Sequence, residues 1–264
     1  MRGRDTVYSR VFGPGGNNPD QAETDPGPPS LYCGGMAKGE RRADGTVPTP
    51  KERGYARRIM NRLEARYPEI RTALNYENPF QLLVSTVISA QTTDENVNRA
   101  TPELFARWPT PDDLATANPE EVEKVIFSTG FYRQKTRSII ALAQDLTERF
   151  EGEVPDSMAE LVTLKGVGRK TASVVLAEAF GKPAIAVDTH VRRITNRRLQ
   201  LTKEDDPAKI EQDLKALVPR QEWRHLSMRI IQFGRDVCEA RKPRCWECDL
   251  TGLCPYLPKS LPTD

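Results

Sequence analysis

A lysine, an aspartate and four cysteines are the residues of this chain whose types and spacing can support chemistry. Lys170 follows a Gly-Val-Gly-Arg string at residues 166–169, and Asp188 lies 18 residues further on. A lysine without its proton is a nucleophile that attacks a sugar carbon and then forms a Schiff base. A nearby carboxylate can take up the proton or stabilise positive charge on the sugar. The pair predicts covalent amine catalysis, although Asp188 is equally placed to cap a helix from Thr189.

The glycine-rich string has the pattern of a helix–hairpin–helix over residues 161–172. Gly166 and Gly168 flank Val167 and permit a tight turn with positive φ angles. The second helix opens near Arg169, and the backbone N–H groups at its start form an anion site. We expect this site to bind a DNA phosphate, a contact that positions DNA without reading its sequence. A plain turn between two helices is the alternative, but the full Leu-x-x-Leu-x-Gly-Val-Gly string favours phosphate binding.

The four cysteines occupy 17 residues near the end of the sequence. Their spacing is C-x6-C-x2-C-x5-C, formed by Cys238, Cys245, Cys248 and Cys254. Disulfides are rare inside cells, so the spacing indicates a metal site. One C-x2-C pair with single flanking cysteines favours a loop around a [4Fe–4S] cluster. Zinc, or thiols with no ligand, are the alternatives. The predicted cluster has a structural role and holds nearby cations toward DNA.

Charge gives a weaker indication of the partner. The net charge is +2, yet two stretches are locally basic. One holds four arginines (Arg192, Arg193, Arg197 and Arg198), and residues 224–244 hold six cations against two acids. Such patches suit a phosphate backbone, although a solvated helix face has the same pattern.

The N-terminal residues 1–50 differ in composition from the rest. They contain nine glycines and seven prolines, and six cations balance six acids. This composition is typical of disordered sequence, so we predict a tail without chemistry. Cys33 in this tail is expected to be a free thiol, and Met36 is an alternative start. No secretory signal or membrane-length apolar run is visible, which predicts a cytoplasmic protein.

Beyond residue 50 the apolar pattern is helical. Tyr55, Ile59, Leu63 and Tyr67 recur every four residues and mark one face. Further helices are predicted over residues 80–90, 133–150, 171–180 and 207–218. Another starts at Asn118, which can cap it. Ser157 and Glu160 have capping-box spacing. Only residues 183–187 suit a strand, so the predicted fold class is all-α.

Taken together, these motifs resemble the endonuclease III family of DNA glycosylase/AP lyases from about residue 51 to residue 256. The matching strings, in chain order, are Ser-Ala-Gln-Thr-Thr-Asp at 89–94, Gly-Phe-Tyr at 130–132, the hairpin with its lysine, Val-Asp-Thr-His at 187–190 and the four cysteines. The resemblance implies a six-helix barrel that carries the hairpin (residues 72–182). It also implies a second helical domain with the [4Fe–4S] cluster (residues 51–71 and 183–264). DNA would bind in the cleft between them.

The resemblance also assigns roles to single residues. Lys170 matches the catalytic amine and Asp188 its carboxylate, while Gln91 matches the residue that fills the gap left by an extruded nucleotide. Phe131 occupies a wedge position where relatives often have leucine. A phenylalanine can stack between the bases of a duplex, so the resemblance still implies a wedge role for Phe131. The change from leucine can alter which lesions are preferred. A buried core aromatic is the alternative for Phe131.

The implied function is base excision on double-stranded DNA by a monomer. The resemblance implies removal of oxidised pyrimidines and cleavage of abasic sites on their 3′ side by β-elimination through a lysine Schiff base. One alternative is a monofunctional adenine glycosylase of the same superfamily, which lacks the hairpin lysine and carries an extra C-terminal domain. Another is a non-catalytic DNA-binding iron–sulfur protein, which would need neither Lys170 nor Asp188.

Overall fold

Helices supply the regular structure of residues 40–262, which are the residues that the computed structural model describes. The α-helices are α1 (Pro50–Arg66), α2 (Pro79–Ile88), α3 (Asp94–Arg107), α4 (Pro111–Ala115), α5 (Pro119–Ile126), α6 (Tyr132–Phe150), α7 (Met158–Leu161), α8 (Arg169–Glu178), α9 (Thr189–Arg192), α10 (Pro207–Leu217) and α11 (Trp223–Asp236). A π-helical stretch, Arg193–Arg198, continues α9. Residues 183–187, which suited a strand, form an irregular connection. The all-α prediction is confirmed.

Polar caps fix where several helices begin. Asn118 accepts a hydrogen bond from the backbone of Glu120, and Pro119 takes the first position of α5, as predicted. Ser157 caps α7 by accepting from the backbone N–H of Glu160. The Glu160 carboxylate accepts from the Ser157 hydroxyl. Such caps satisfy backbone donors that have no partner within the helix.

One group of buried apolar side chains lies between residues 74 and 184. Helix α2 forms its centre, because eight of the ten residues of α2 are buried. Leu104 of α3, Leu142 of α6 and Val175 of α8 are also buried in this group. A helix that is apolar on nearly all sides is stable only when other helices surround it. This core therefore holds α8, the helix that carries Lys170, in a fixed position.

A second group of buried side chains combines residues 56–63 of α1 with residues 185–250. Ile59 and Leu63, from the predicted apolar face of α1, are fully buried there. Phe233 of α11 is among the largest side chains in this group. All described residues fall within one compact unit, Met36–Asp264. Two separate helical domains therefore stay a prediction, while two cores within one unit are observed.

Three polar contacts connect the helices around the first core to the helices around the second. Arg169 at the start of α8 donates to the buried Glu211 of α10, with 2.9 Å between Nη2 and Oε1. Arg235 of α11 lies 2.9 Å from Asp94 at the start of α3. Arg224 of α11 donates from Nε to the backbone oxygen of Ala177 in α8 at 3.1 Å.

Residues 40–49 lie inside the predicted tail but contact the folded chain. The backbone N–H of Ala43 donates to Asp213 of α10 at 2.8 Å. Thr49 caps α1 and forms a full capping box with Glu52. The predicted tail boundary at residue 50 was therefore wrong for residues 40–49, because a glycine- and proline-rich composition does not reveal hydrogen bonds to a distant helix. Cys33 and Met36 lie outside the described residues.

Two truncations should behave differently for this reason. Deletion of residues 1–39 should leave the DNA cleavage implied by the family resemblance nearly unchanged, since it removes none of these contacts. Deletion of residues 1–50 should likewise preserve cleavage, but it should lower the free energy of unfolding by roughly 1–2 kcal/mol, because it removes the Thr49 cap. Urea unfolding of both truncations, beside a cleavage assay, checks this. A loss of activity above about tenfold in the shorter deletion, or 1.4 kcal/mol in barrier, would contradict it.

Candidate active site and cysteine loop

The glycine hairpin lies between α7 and α8 and is anchored to α6. Gly166 has a φ of +75°, and a Cβ there would come within 3.1 Å of the Cβ of Ser138 on α6. The backbone N–H of Lys165 donates to Asp145 of α6 at 2.8 Å. A glycine is therefore required at residue 166 by both its conformation and its close packing. Gly168 differs from the prediction, since its φ of −89° is open to any residue.

The start of α8 is open to an anion. Gly168 is the N-cap residue and supplies no side-chain hydrogen bond to the helix. A Cβ at Gly168 would meet no heavy atom within 4 Å, so space remains beside the first backbone N–H groups. Free N–H groups and the helix dipole attract negative charge at such an end. These features suit the predicted phosphate contact.

Arg169 was predicted to bind DNA, and its guanidinium is instead engaged with a carboxylate. Both Nε and Nη2 donate to Glu211, whose side chain is 5% exposed. Lys215 also donates to Glu211. Burial raises the pKa of Glu211, but hydrogen bonds from Arg169 and Lys215 outweigh it and lower that pKa overall. Arg169 thus fixes the start of α8 against α10. About half of its side chain is exposed and could still contact DNA, so a DNA contact by Arg169 stays a prediction.

Lys170 and Asp188 line the same cleft. The cleft has a volume of about 90 Å³, and Ser89, Val174 and Gln232 contribute to its walls. Lys170 is exposed, in the first turn of α8. Within residues 40–262, no hydrogen bond or ion pair engages its ammonium group. The cleft is therefore lined by an accessible amine and a carboxylate.

Asp188 caps a helix as well as lining the cleft. Its Oδ1 accepts a hydrogen bond from the backbone N–H of Val191 at 2.8 Å, which makes it the N-cap of α9. The cap role that was an alternative to catalysis is thus present. One carboxylate oxygen suffices for the cap, and the residue remains half-buried beside Lys170. The cap holds the carboxylate in place, so the two roles are compatible.

His190 and Arg193 lie between the cleft and the cysteine loop. Burial lowers the pKa of His190, Asp188 partly opposes this, and Arg193 and Arg235 lower it further. Arg193 Nη2 lies 3.3 Å from His190 Nδ1 and donates to the backbone oxygen of Cys238 at 2.9 Å. A lowered pKa favours a neutral imidazole at pH 7, so Asp188 is not neutralised by a charged neighbour at residue 190.

Sequence reasoning missed an ion pair at the cleft. Asp94 and Arg235 both line it and pair across it. They are 141 residues apart in the chain, so no local pattern connects them. Gly234 was also missed: a Cβ there would lie 2.7 Å from His190 Nδ1, which shows how closely α11 approaches α9. The cleft geometry depends on both features.

Gln91 and Phe131 share an unusual backbone conformation. Their φ angles are +55° and +48°, in the left-handed region that non-glycine residues rarely adopt. Both residues are exposed, and Phe131 is 68% exposed. Such strained positions cost free energy of order 1 kcal/mol and cluster at functional sites. The exposure of Phe131 excludes the alternative that it is a core aromatic.

The four cysteines follow α11 in one loop. Cys238 lies just after the end of α11, and its N–H donates to the Phe233 oxygen. Cys245 opens a short 3-10 turn, Cys245–Glu247, and Cys254 is held by a backbone hydrogen bond to Leu250. All four thiols are partly buried and unpaired. Three of them, Cys238, Cys248 and Cys254, pack against the second core.

The sulfurs are close enough to influence one another electrostatically. Burial raises the pKa of Cys238 to about 11, and Cys248 and Cys254 raise it further, while Arg198 and Arg193 lower it. Burial also raises the pKa of Cys248. Among the described residues, no three His, Cys, Asp or Glu side chains stand arranged around a single ion. A set of four soft sulfur donors with two guanidinium groups beside it fits an anionic iron–sulfur group.

Two arginines of the predicted basic stretches are buried and have partners inside the protein. Arg198 is buried, donates to the Ala240 oxygen and stacks on the ring of Tyr256 at 3.7 Å. Arg229 is buried and pairs with Glu64 and Glu222. Charge counting could not detect Ala240 and Glu64 as partners, because they lie 42 and 165 residues away in the sequence. The interpretation of both basic stretches as phosphate-binding patches therefore does not hold for these arginines.

Comparison with known proteins identifies the family. Residues 84–220 match the model of the HhH-GPD superfamily base excision DNA repair protein. Endonuclease III of Synechocystis sp. PCC 6803 is 51% identical over 201 residues, covering 76% of this chain and 91% of that protein. Endonuclease III of Escherichia coli K12 is 41% identical over 201 residues, covering 76% and 95%.

Solved structures agree with the sequence relatives. A non-covalent endonuclease III–DNA complex superposes with a TM-score of 0.73 at 42% identity, covering 77% of this chain and 95% of that one. A trapped covalent endonuclease III–DNA intermediate gives the same values. The chain therefore belongs to the endonuclease III family of the HhH-GPD superfamily, the bifunctional DNA glycosylase/AP lyases of base excision repair.

Proposed function

We propose that Lys170 is the nucleophile of this enzyme and that Asp188 is the carboxylate that supports it. The observation that supports the proposal is the shared cleft, which is lined by the exposed amine of Lys170 on α8 and by the carboxylate of Asp188 that caps α9. Lys170 is free of internal partners within the described residues. A structural lysine would be expected to pair with a neighbour.

The chemistry follows from these two side chains. A damaged nucleotide leaves the duplex and enters the cleft. The neutral Nζ of Lys170 forms a bond to C1′ while the bond from C1′ to the base breaks, and the base leaves with the electron pair. Opening of the sugar gives a Schiff base. Water then removes a C2′ proton, the electron pair of that C–H bond forms the C2′–C3′ double bond, and the C3′–O bond breaks as the phosphate leaves, which cuts the strand. Asp188 takes up the ammonium proton of Lys170 and stabilises positive charge on the sugar.

The substrates that we propose are oxidised pyrimidines and abasic sites in double-stranded DNA. The open N-terminus of α8 would hold a phosphate, with contacts from the backbone N–H groups of Gly166 and Gly168. The N–H of Val167, which was also predicted to contact DNA, donates to the Leu164 oxygen instead. Arg169 would add a contact through its exposed portion. We further propose a cytoplasmic monomer. Within residues 40–262, no helix is both long and apolar enough to cross a membrane.

Trapping with borohydride tests this function directly. Reduction of a Schiff base joins protein to abasic DNA covalently, and the wild-type enzyme should give this complex. A non-catalytic DNA-binding protein would bind the DNA without trapping. A monofunctional adenine glycosylase would release adenine without trapping. Either result would overturn the proposal in favour of that alternative.

We also propose that Cys238, Cys245, Cys248 and Cys254 hold a [4Fe–4S] cluster. The cluster would fold the loop and orient Arg241 and Lys242 toward DNA. The donor set and the neighbouring Arg193 and Arg198 support this choice, since sulfur ligands with nearby cations suit an anionic group. The cluster supplies structural stability when bound, because ligation energy is also folding energy.

Metal analysis should find about four iron atoms per chain, in a yellow-brown protein. Cys245→Ser should lose iron and solubility together, since cluster ligation contributes to folding. Cys33→Ser is the matched control, because Cys33 lies outside the cysteine loop, and it should retain full iron content. Stoichiometric zinc without sulfide would contradict the cluster assignment.

Gln91 and Phe131 are proposed to act on the duplex during nucleotide extrusion. Gln91→Ala and Phe131→Ala should each slow processing of a paired lesion more than cleavage of single-stranded abasic DNA. The reason is that a single strand has no base pair to open and no gap to fill. Single-turnover rates on both substrates measure the difference. Equal losses on the two substrates would argue against the wedge and gap-filling roles.

A further inference from the structure

The surface around Phe131 carries a second exposed phenylalanine. Phe127 lies in a short 3-10 turn, Phe127–Thr129, directly before the left-handed pair Gly130 and Phe131. It is 63% exposed. Among the exposed large apolar side chains of the described residues, Phe127 and Phe131 are the only phenylalanines. Two exposed aromatic side chains lie within five residues of each other, and groups of exposed apolar side chains are a feature of interaction sites.

Phe127 packs against a second aromatic ring. Its ring centroid lies 4.8 Å from that of Tyr132, with 48° between the ring planes. The guanidinium of Arg133 lies 5.7 Å from the centroid of the Tyr132 ring. We call Phe127 and Tyr132 the aromatic ledge. A row of rings that ends in a cation is the arrangement that proteins use to stack nucleotides and hold their backbone.

The ledge is held rigidly relative to Phe131. Lys135 of α6 is buried, and its Nζ donates to the backbone oxygen of Thr129 at 2.7 Å. The Thr129 hydroxyl donates to the oxygen of Ile126 at 2.7 Å. The N–H of Gly130 donates to the oxygen of Phe127. These contacts fix the backbone of the turn that connects Phe127 to Phe131.

Charge around the ledge distinguishes between parts of a nucleotide. Glu123 lies one helical turn before Phe127 and is 3.9 Å from Arg133 at the nearest approach. Glu120 and Glu121 add further negative charge to α5. A phosphate would be repelled on that side, whereas a base face or a deoxyribose ring is uncharged. The three glutamates of α5 outnumber its one cation, Lys124, so the ledge suits stacking on a base or sugar, with Arg133 and Lys124 as the cations nearest to it in the sequence.

We propose that Phe127 is a second stacking residue, which packs on the nucleotide next to the one opened by Phe131. This inference rests on the proposed wedge role of Phe131. Entry of Phe131 into the duplex brings nucleotides within reach of the ledge, because Phe127 lies only four residues away. Opening of a base pair exposes a neighbouring base face, and an aromatic ring that covers it recovers stacking energy.

Four variants test the proposal in the full-length holoenzyme: Phe127→Ala, Phe127→Tyr, Phe131→Ala and the Phe127→Ala/Phe131→Ala double variant. Leu261→Ala is the control for loss of an exposed apolar side chain. The measured quantities are the single-turnover rate on a duplex with an oxidised pyrimidine, at enzyme below saturation, and on a single-stranded abasic oligonucleotide.

Phe127→Ala should lower the duplex rate by about tenfold, equivalent to about 1.4 kcal/mol, with a clearly smaller loss on the single strand. Phe127→Tyr should retain most of the rate, since tyrosine keeps the stacking ring. The effect of Phe127→Ala should shrink in the Phe131→Ala background, because the ledge acts once the wedge has entered.

A duplex rate within about twofold of wild type for Phe127→Ala would overturn the proposal and would mean that the ring serves another partner. Equal losses on duplex and single strand would overturn it as well, since that pattern indicates a general structural role. Failure of the proposed function is a different result. It would appear as a wild-type enzyme that neither cleaves abasic DNA nor forms a borohydride adduct.

Discussion

Lys170→Gln should abolish the borohydride-trapped complex with abasic DNA while binding to that DNA persists. The substitution removes the only nitrogen in the cleft that is proposed to attack C1′, so no Schiff base can form. Binding should persist because the backbone N–H groups at the start of α8 are unchanged. The expected loss of lyase rate is at least about 10³-fold, since a covalent step has no substitute in the site.

The control for this variant is Lys203→Gln, which removes an exposed lysine outside the cleft. It should trap DNA like the wild type. Gel separation of trapped complexes and equilibrium binding to abasic DNA measure the two properties separately. A folded Lys170→Gln enzyme that still forms the trapped complex would overturn the proposed mechanism.

Asp188→Asn should reduce base release by about 10²-fold or more, the usual scale for a positioned acid–base group. Asparagine keeps the side-chain oxygen that accepts from Val191, so the cap of α9 should survive. The negative charge is lost, and with it the support for the Lys170 amine and for the developing positive charge. Stability should therefore change little while the rate of base release falls.

Asp206→Asn is a matched control for this effect. Asp206 caps α10 by accepting from the backbone N–H groups of Ala208 and Lys209, in the same way that Asp188 caps α9. It does not line the cleft around Lys170. Asp206→Asn should keep the wild-type rate. Similar rates for Asp188→Asn and wild type would show that Asp188 is only a cap.

The candidate catalytic and metal-ligating residues could be identified from the sequence because each belongs to a short local motif. The cysteine spacing, the hairpin glycines and Lys170 lie within short strings, and the caps of α5 and α7 do as well. The predicted positive φ at Gly168 was wrong, because Gly166 alone makes the tight turn and Gly168 instead leaves space at the start of α8. Local strings therefore identified the site but not which glycine performs which task.

The features that shape the site were invisible because their partners are distant in the sequence. Arg169 meets Glu211 across 42 residues, and Asp94 meets Arg235 across 141. The strained backbone of Phe131 also had no sequence signal, since non-glycine residues rarely adopt a positive φ. Tertiary packing selects such conformations, and a single sequence does not reveal that packing.

Peptide mapping of the trapped complex tests the central claim most directly. After borohydride reduction on abasic DNA, nuclease and protease digestion leave a peptide with the reduced sugar remnant, and mass spectrometry locates the modified amine. We expect one adduct, on Nζ of Lys170. An adduct on another lysine or on the terminal amine, or no adduct from an active enzyme, would contradict it.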